Sequence, residues 1–188
     1  RKITSAMKMV SAAKLRKAQN AVLQLRPYAH KLGEIFENIS GGLDSVDDVV
    51  YARKSQNERI AIVLITSNGG LCGAFNTNIV KQAISLVKEK YSYQLSQGWV
   101  DFYCIGKKGA EQLKSRGYTA KECFNELYDK MSYEKVAQTA THFMNMFANK
   151  QYDAVELIYN KFKNAASQQL TTEQFLPVEL IKKESQEK

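Results

Sequence analysis

The residues best placed to do chemistry in this chain lie in one turn. Arg59 to Thr66 reads RIAIVLIT, a continuous β-branched run that suits a buried parallel strand, and Asn68-Gly69-Gly70-Leu71-Cys72-Gly73 follows it. A Gly-rich turn between a buried strand and a helix is where backbone N–H groups cradle phosphates. The spelling here is neither GxGxxG nor a GxxxxGK loop ending in Ser or Thr. No Lys follows to reach a phosphate, and no acidic residue ends a second strand at the ribose position. Cys72 has the amides of the turn around it as a nucleophile but no evident base. The turn therefore reads as a loop surface on display, with a nucleotide-binding, Rossmann-like enzyme as the alternative.

The other reactive side chains are sparse. Lys107 and Lys108 open a helix and read as a solvated face. Cys72, Cys104 and Cys123 are odd in number and widely spaced. They do not form a disulfide or zinc pattern, and they read as buried free thiols in a reducing compartment. His30 and His142 each lack a spaced partner, so no metal site and no cofactor is expected.

Charge is the strongest compositional signal. Of 27 Lys+Arg, eight lie between Arg1 and Gly33, a stretch without Asp or Glu, and the remaining 19 balance the 19 Asp+Glu. The formal net charge of +8 thus resides on one segment, which reads as a single long helix. From Leu15 its apolar positions run Leu15, Ala18, Val22, Leu25, Ala29, Leu32, Phe36 and Ile39, alternating steps of three and four in the manner of a coiled-coil seam. Upstream the stripe changes phase through Ile3, Ala6 or Met7, Val10 and Ala13, a break in the heptad. Pro27 lies inside the pattern and is expected to bend the helix without ending it. Such a seam needs a partner helix. A basic rod can bind nucleic acid through phosphates, but this one has only Tyr28 as an aromatic before Phe36, and an Ala/Met seam is ill suited to DNA.

The elements that follow set the rest of the frame. Ser40-Gly41-Gly42 ends the first helix, and Asp44 to Asn57 is a polar, acidic link. After the Gly-rich turn a helix is expected from about Asn76 to Lys90, a strand over Trp99 to Ile105, a short helix over Lys107 to Ser115 and an edge strand over Tyr118 to Cys123. Ser132 is an N-cap for a helix to about Ala148 that buries Val136, Ala140, Phe143 and Phe147, and Ala154 to Tyr159 is a further strand. A polar tail closes the sequence. Alternation of strands and helices predicts a doubly wound, Rossmann-like α/β domain with a parallel sheet, preceded by a long N-terminal coiled-coil helix. The predicted boundaries are a shaft helix over 1–42, a linker over 43–57 and the globular domain over 58–188. No apolar run approaches the ~18–20 residues of a membrane span. The chain lacks an initiator Met and begins inside a helical pattern, which reads as part of a longer chain.

Three blocks carry a resemblance. ITSAMKMVSAAKLRKAQ at Ile3 to Gln19, with RPYA at Arg26 to Ala29, resembles the N-terminal helix of the gamma subunit of rotary F-type ATP synthases. SNGGLCGAFNTN at Ser67 to Asn78 is similar to that subunit's SDRGLCG-type loop, and IYNKFKNAASQQLTTEQFLP at Ile158 to Pro177 to its following strand block. The family often has Asp and Arg just before GLCG, where this chain has Asn68 and Gly69, so a charged contact made by those two side chains does not transfer.

The resemblance implies a non-catalytic central rotor stalk that couples proton flow through a membrane ring to ATP synthesis or hydrolysis on surrounding alpha and beta subunits. It implies epsilon and the membrane rotor ring as further partners, and a long C-terminal helix as the partner of the seam. It also implies an acidic bearing on beta, with Met7, Lys8, Met9 and Lys14 on the helix and Gly70, Leu71, Cys72 and Gly73 in the turn as rotor–stator contact candidates. The expected location is peripheral, on the cytoplasmic face of a bacterial inner membrane, ahead of mitochondrion or plastid.

Overall fold

The computed structural model describes residues 2–40, 50–53, 58–128, 132–164 and 167–178, with the side chains of α1 (Lys2–Ser40) described at 3–20, 22, 23, 27 and 31. The chain divides into two compact units, α1 belonging to one and the α/β elements to the other. At 39 residues α1 is ~58 Å long for a rise of 1.5 Å per residue, and it continues through Pro27. Its described side chains are exposed on every face, with only Leu15 and Gln19 half-buried. The seam positions Leu25, Ala29, Leu32, Phe36 and Ile39 lie outside the described side chains.

In the second unit a five-stranded sheet has the order β3-β2-β1-β4-β5. The strands are β1 (Ile60–Ile65), β2 (Val100–Ile105), β3 (Ala120–Cys123), β4 (Ala154–Asn164) and β5 (Ser167–Leu176). The first four run parallel, with Ile60 opposite both Val100 and Ala154. The helices are α2 (Phe75–Lys90), α3 (Ser92–Ser96), α4 (Lys107–Lys114) and α5 (Tyr133–Ala148).

The central strand explains the layering. On β1, Ile60, Ile62 and Leu64 face Ile79, Val80, Ala83 and Val87 of α2 and Leu113 of α4. The alternate residues Ala61 and Val63 face Phe143 and Phe147 of α5. Both faces of the pleat are therefore covered, which is why the strand reads as an unbroken apolar run. Each large side chain so buried contributes about 1.5–3 kcal/mol relative to leaving it in water.

Three differences from the sequence reading have physical causes. The sheet is mixed, because β4 runs on to Asn164 and β5 returns antiparallel beside it. The outer half of that ribbon, Lys161–Asn164 and Ser167–Leu170, is exposed on both faces, so it carries no apolar alternation to read. Val136 is 49% exposed although it continues the stripe of α5, because the first turn of the helix extends beyond the layer that covers Phe143 and Phe147. The segment 50–53, read as linker, docks on the domain. There Arg53 donates from Nη2 to the carbonyls of Phe147 at 2.8 Å and Tyr152 at 3.1 Å, and its guanidinium lies 4.4 Å from the Phe147 ring centre.

Other expectations hold closely. Ser132 caps α5, its Oγ accepting from the Lys135 N–H at 3.4 Å. Edge strand β3 starts at Ala120, two residues later than the sequence pattern indicates.

Candidate functional site

The Gly-rich turn leaves the C-terminal end of β1 and is held by a polar scaffold. Asn76, in the first turn of α2 and 3% exposed, is its hub. Its Oδ1 accepts from the Ser67 N–H at 2.9 Å, and its Nδ2 donates to Ser67 Oγ at 2.9 Å and to Cys72 Sγ at 3.2 Å. Ser67 Oγ in turn donates to the Gly69 carbonyl at 2.6 Å. The Phe75 N–H donates back to the Cys72 carbonyl at 3.2 Å.

A second layer fixes the base of the turn. Thr66 Oγ1 donates to the Gly106 carbonyl at 3.1 Å and accepts from the Gly109 N–H at 2.9 Å. The Tyr128 hydroxyl donates to the Thr66 carbonyl at 2.6 Å. Asn68 uses both halves of its amide: Nδ2 donates to the Asn125 carbonyl at 3.2 Å and Oδ1 accepts from the Lys107 N–H at 3.0 Å. A carboxylate at that position accepts but cannot donate. Asn68 is thus tied through its side-chain amide to the segment after β3.

What this scaffold presents is Leu71. Its φ of 59° and Gly73's φ of 57° fold the tip back on itself, and the Leu71 side chain is fully exposed. Gly69 and Gly70 have open space where a Cβ would stand. Cys72 is exposed, which corrects the expectation that all three thiols are buried; Cys104 is buried and Cys123 intermediate. The hydrogen-bond donor to Cys72 Sγ is the Asn76 amide, not a base.

The arrangement is poorly suited to a nucleotide. The Ser67 and Phe75 N–H groups are engaged inside the turn. The crevice between β1 and β4, where a doubly wound sheet takes its ligand, is bridged by Asn160 Nδ2 donating to the Phe75 carbonyl at 3.0 Å. A depression of about 280 Å³ lies between α5 and the 3-10 turn after β3, lined by Phe124, Leu127, Lys135, Thr139 and His142, with no residue of the Gly-rich turn in its lining. Among the described residues no three His, Cys, Asp or Glu come together as metal ligands. Lys108 is paired with Glu111 at 2.6 Å on the surface of α4, the solvated role expected of it.

On α1 the predicted contact residues Met7 and Met9 are 59% and 67% exposed, and Lys8 and Lys14 are exposed beside them. Leu15 is half-buried, and Ala18 and Val22 are exposed. The sequence reading did not find Asn76, Asn68, Thr66 or Tyr128 as supports of the turn. Asn76 within SNGGLCGAFN was the one legible signal, as a polar residue in the first turn of a helix after a Gly-rich loop.

These features define a class first: an α/β sheet protein that displays a braced turn, joined in sequence to a long, basic helix whose described side chains are mostly exposed. The chain belongs to the ATP synthase family, whose model matches residues 1–188. It is 49% identical over 176 residues to the ATP synthase gamma chain of Cytophaga hutchinsonii, covering 94% of this chain and 60% of that one. To the ATP synthase gamma chain of Flavobacterium johnsoniae it is 44% identical over 182 residues, covering 97% and 62%. The central stalk and c-ring structure of Tetrahymena thermophila mitochondrial ATP synthase matches with a TM-score of 0.68 at 30% identity, over 93% of this chain and 72% of that one. The rotor of Euglena gracilis mitochondrial ATP synthase shares the fold, with a TM-score of 0.58 at 24% identity over 92% and 56%. The chain spans 60–62% of the length of the first curated relatives it matches.

Proposed function

We propose that this chain forms part of the central rotor stalk of an F-type proton-translocating ATP synthase and is itself non-catalytic. The observation that carries this reading is α1: 39 helical residues, basic and free of acids through Gly33, its described side chains mostly exposed, in a chain whose relatives are gamma chains. Proton flow turns the membrane ring, the stalk turns with it, and ATP is made or hydrolysed on alpha and beta. The shaft biases each catalytic site in turn only by the difference between its contacts in the two states of that site.

The surface chemistry fits a bearing. Met7 and Met9 give shallow, repackable contacts, so the shaft meets no deep grip at any angle. Lys8 and Lys14 are attracted to an acidic collar on beta at long range, an attraction that varies weakly with angle. Leu71, held out by the Asn76 scaffold, with Gly70, Cys72 and Gly73 beside it, is the contact from the turn. The seam from Leu15 to Ile39 takes a long C-terminal helix of the full-length subunit. Epsilon and the membrane ring complete the partners, and relatives from bacteria support a peripheral location on the cytoplasmic face of the inner membrane. Among the described residues no helix is long and apolar enough to cross a membrane.

Reconstitution tests this reading. The full-length chain is assembled with alpha, beta, epsilon and the membrane sector, and ATP-driven proton pumping is measured with and without it. Pumping that depends on the chain is expected. Equal pumping without it, or micromolar binding of ATP by the isolated protein with protection of residues 69–73, would overturn the proposal in favour of a nucleotide-dependent enzyme.

A further inference from the structure

Cys104 and Cys123 are far apart in sequence but are direct register partners on the neighbouring parallel strands β2 and β3. Partnered residues of adjacent strands project from the same face. Cys104 belongs to the core cluster under α2 and α4, and Cys123 packs against that same cluster. The Phe124 N–H donates to the Cys104 carbonyl at 2.8 Å, which pins the pair side by side. Strand spacing of about 4.8 Å places the two Cα atoms within the 4.4–6.8 Å window of a disulfide. The Cβ atoms of opposed parallel residues sit near that same spacing, so the edge strand must close by about 0.3–1 Å to reach the Cβ separation of a disulfide. At four residues, with a register irregularity next to it, β3 is the strand best able to do so.

The geometry points to a reversible disulfide between Cys104 and Cys123 that tightens the support of the Gly-rich turn. Entry is at Cys123, which is partly exposed, whereas Cys104 is buried. The Cys123 thiolate attacks a low-molecular-weight disulfide, forming a mixed disulfide and releasing one thiol. The Cys104 thiolate then attacks the Cys123 sulfur and releases the second thiol. Two protein thiols are oxidised, one small disulfide is reduced to two thiols, and the two protein protons end on the released thiols. Burial pushes the Cys104 thiol up to about 12, which makes this second step the slow one. A bond formed only by closing the strand carries strain and is readily reduced, the property of a regulatory disulfide.

The consequence for the turn follows the chain. Immediately after Cys123 and Phe124 come Asn125, whose carbonyl accepts from Asn68, and Tyr128, whose hydroxyl holds the Thr66 carbonyl. Stapling β3 to β2 fixes the start of that segment. The bond itself stands apart from the rotor reading; its effect on contact through Leu71 rests on it.

The test uses the full-length chain carrying Cys72→Ser, which removes the exposed competitor. It is treated with glutathione disulfide, alkylated and mapped without reduction, while hydrogen exchange is followed at residues 67–73. Expected are a Cys104–Cys123 linked peptide, loss of both alkylation sites, recovery of both on reduction, and slower exchange in the turn. Cys123→Ser, which changes the less buried partner, abolishes all of these. A stable glutathione adduct on Cys123 with Cys104 still alkylatable, or no reaction while the protein stays folded, overturns the disulfide. A linked peptide with unchanged exchange at 67–73 overturns its coupling to the turn. Mapping thus reads the bond and proton pumping reads the rotor role, so the two can fail separately.

Discussion

Replacing Gly106 with Ala should unlock the turn from the sheet. Gly106 has φ 105°, a backbone conformation that L side chains avoid. An added Cβ would press into the Thr66 carbonyl oxygen, with the carbonyl carbon at 2.8 Å and Thr66 Oγ1 at 3.0 Å. Thr66 is 1% exposed and cannot swing away. Its hydroxyl donates to Gly106 and accepts from Gly109, and its carbonyl accepts from Tyr128. The backbone strain costs about 1–2 kcal/mol, relief of the overlap about 1–3 kcal/mol, and a hydrogen bond lost at Thr66 about 1 kcal/mol. The sum is about 3–6 kcal/mol, a large fraction of the ~5–15 kcal/mol that holds a domain folded.

Gly98 supplies the control: its φ is 69°, but nothing lies within 4 Å of where its Cβ would stand. Gly98→Ala should cost only the backbone part, about 1–2 kcal/mol. Urea unfolding followed by the fluorescence of Trp99, the single tryptophan, reads both variants. Hydrogen exchange at 67–73 should rise in Gly106→Ala and stay unchanged in Gly98→Ala. Equal destabilisation by the two would refute the argument, because it would leave no role for the contact with Thr66.

Burial and the hydrogen bond to Glu156 push the Tyr91 hydroxyl from its ordinary value near 10 up to about 12. A folded-state value above the unfolded one gives stability that is complete below pH 10 and lost as pH rises from 10 through 12. Tyr91→Phe should flatten that alkaline loss in urea titrations. At neutral pH it should cost about 1.5–3 kcal/mol, since it deprives the buried Glu156 carboxylate of a 2.6 Å donor. Asn68→Asp should cost about 1 kcal/mol and speed exchange in the turn, because the donation to Asn125 is lost while the acceptor from Lys107 remains. Charge reversal of Lys8 with Lys14 should weaken coupled proton pumping in the assembled complex and leave the Trp99 unfolding midpoint in place. Unchanged pumping would remove the electrostatic part of the bearing argument.

The α/β frame was legible because its signals are local. The run from Ile60 to Ile65 is buried on both faces, so nothing interrupts it. Ser132 stands where the backbone of α5 needs an acceptor, and the acid-free stretch from Arg1 to Gly33 needs no partner to be visible. The outer β4–β5 ribbon was not legible, because residues exposed on both faces obey pairing rather than pattern. Val136 shows the reverse error: its periodicity was real, but the cover it implied stops short.

By itself, then, the sequence determined the order of the first four strands and of the longer helices, the basic rod and the position of the Gly-rich turn. Each of these depends on side-chain periodicity or on the backbone needs of neighbouring residues. Only the tertiary structure decided what braces the turn and which thiols meet. Asn68 finds the carbonyl of Asn125, Thr66 is held by Tyr128, and Cys104 lies beside Cys123 only after the parallel strands are laid in register. Parallel pairing joins residues through crossovers, so these contacts leave no spacing along the chain from which they could be read.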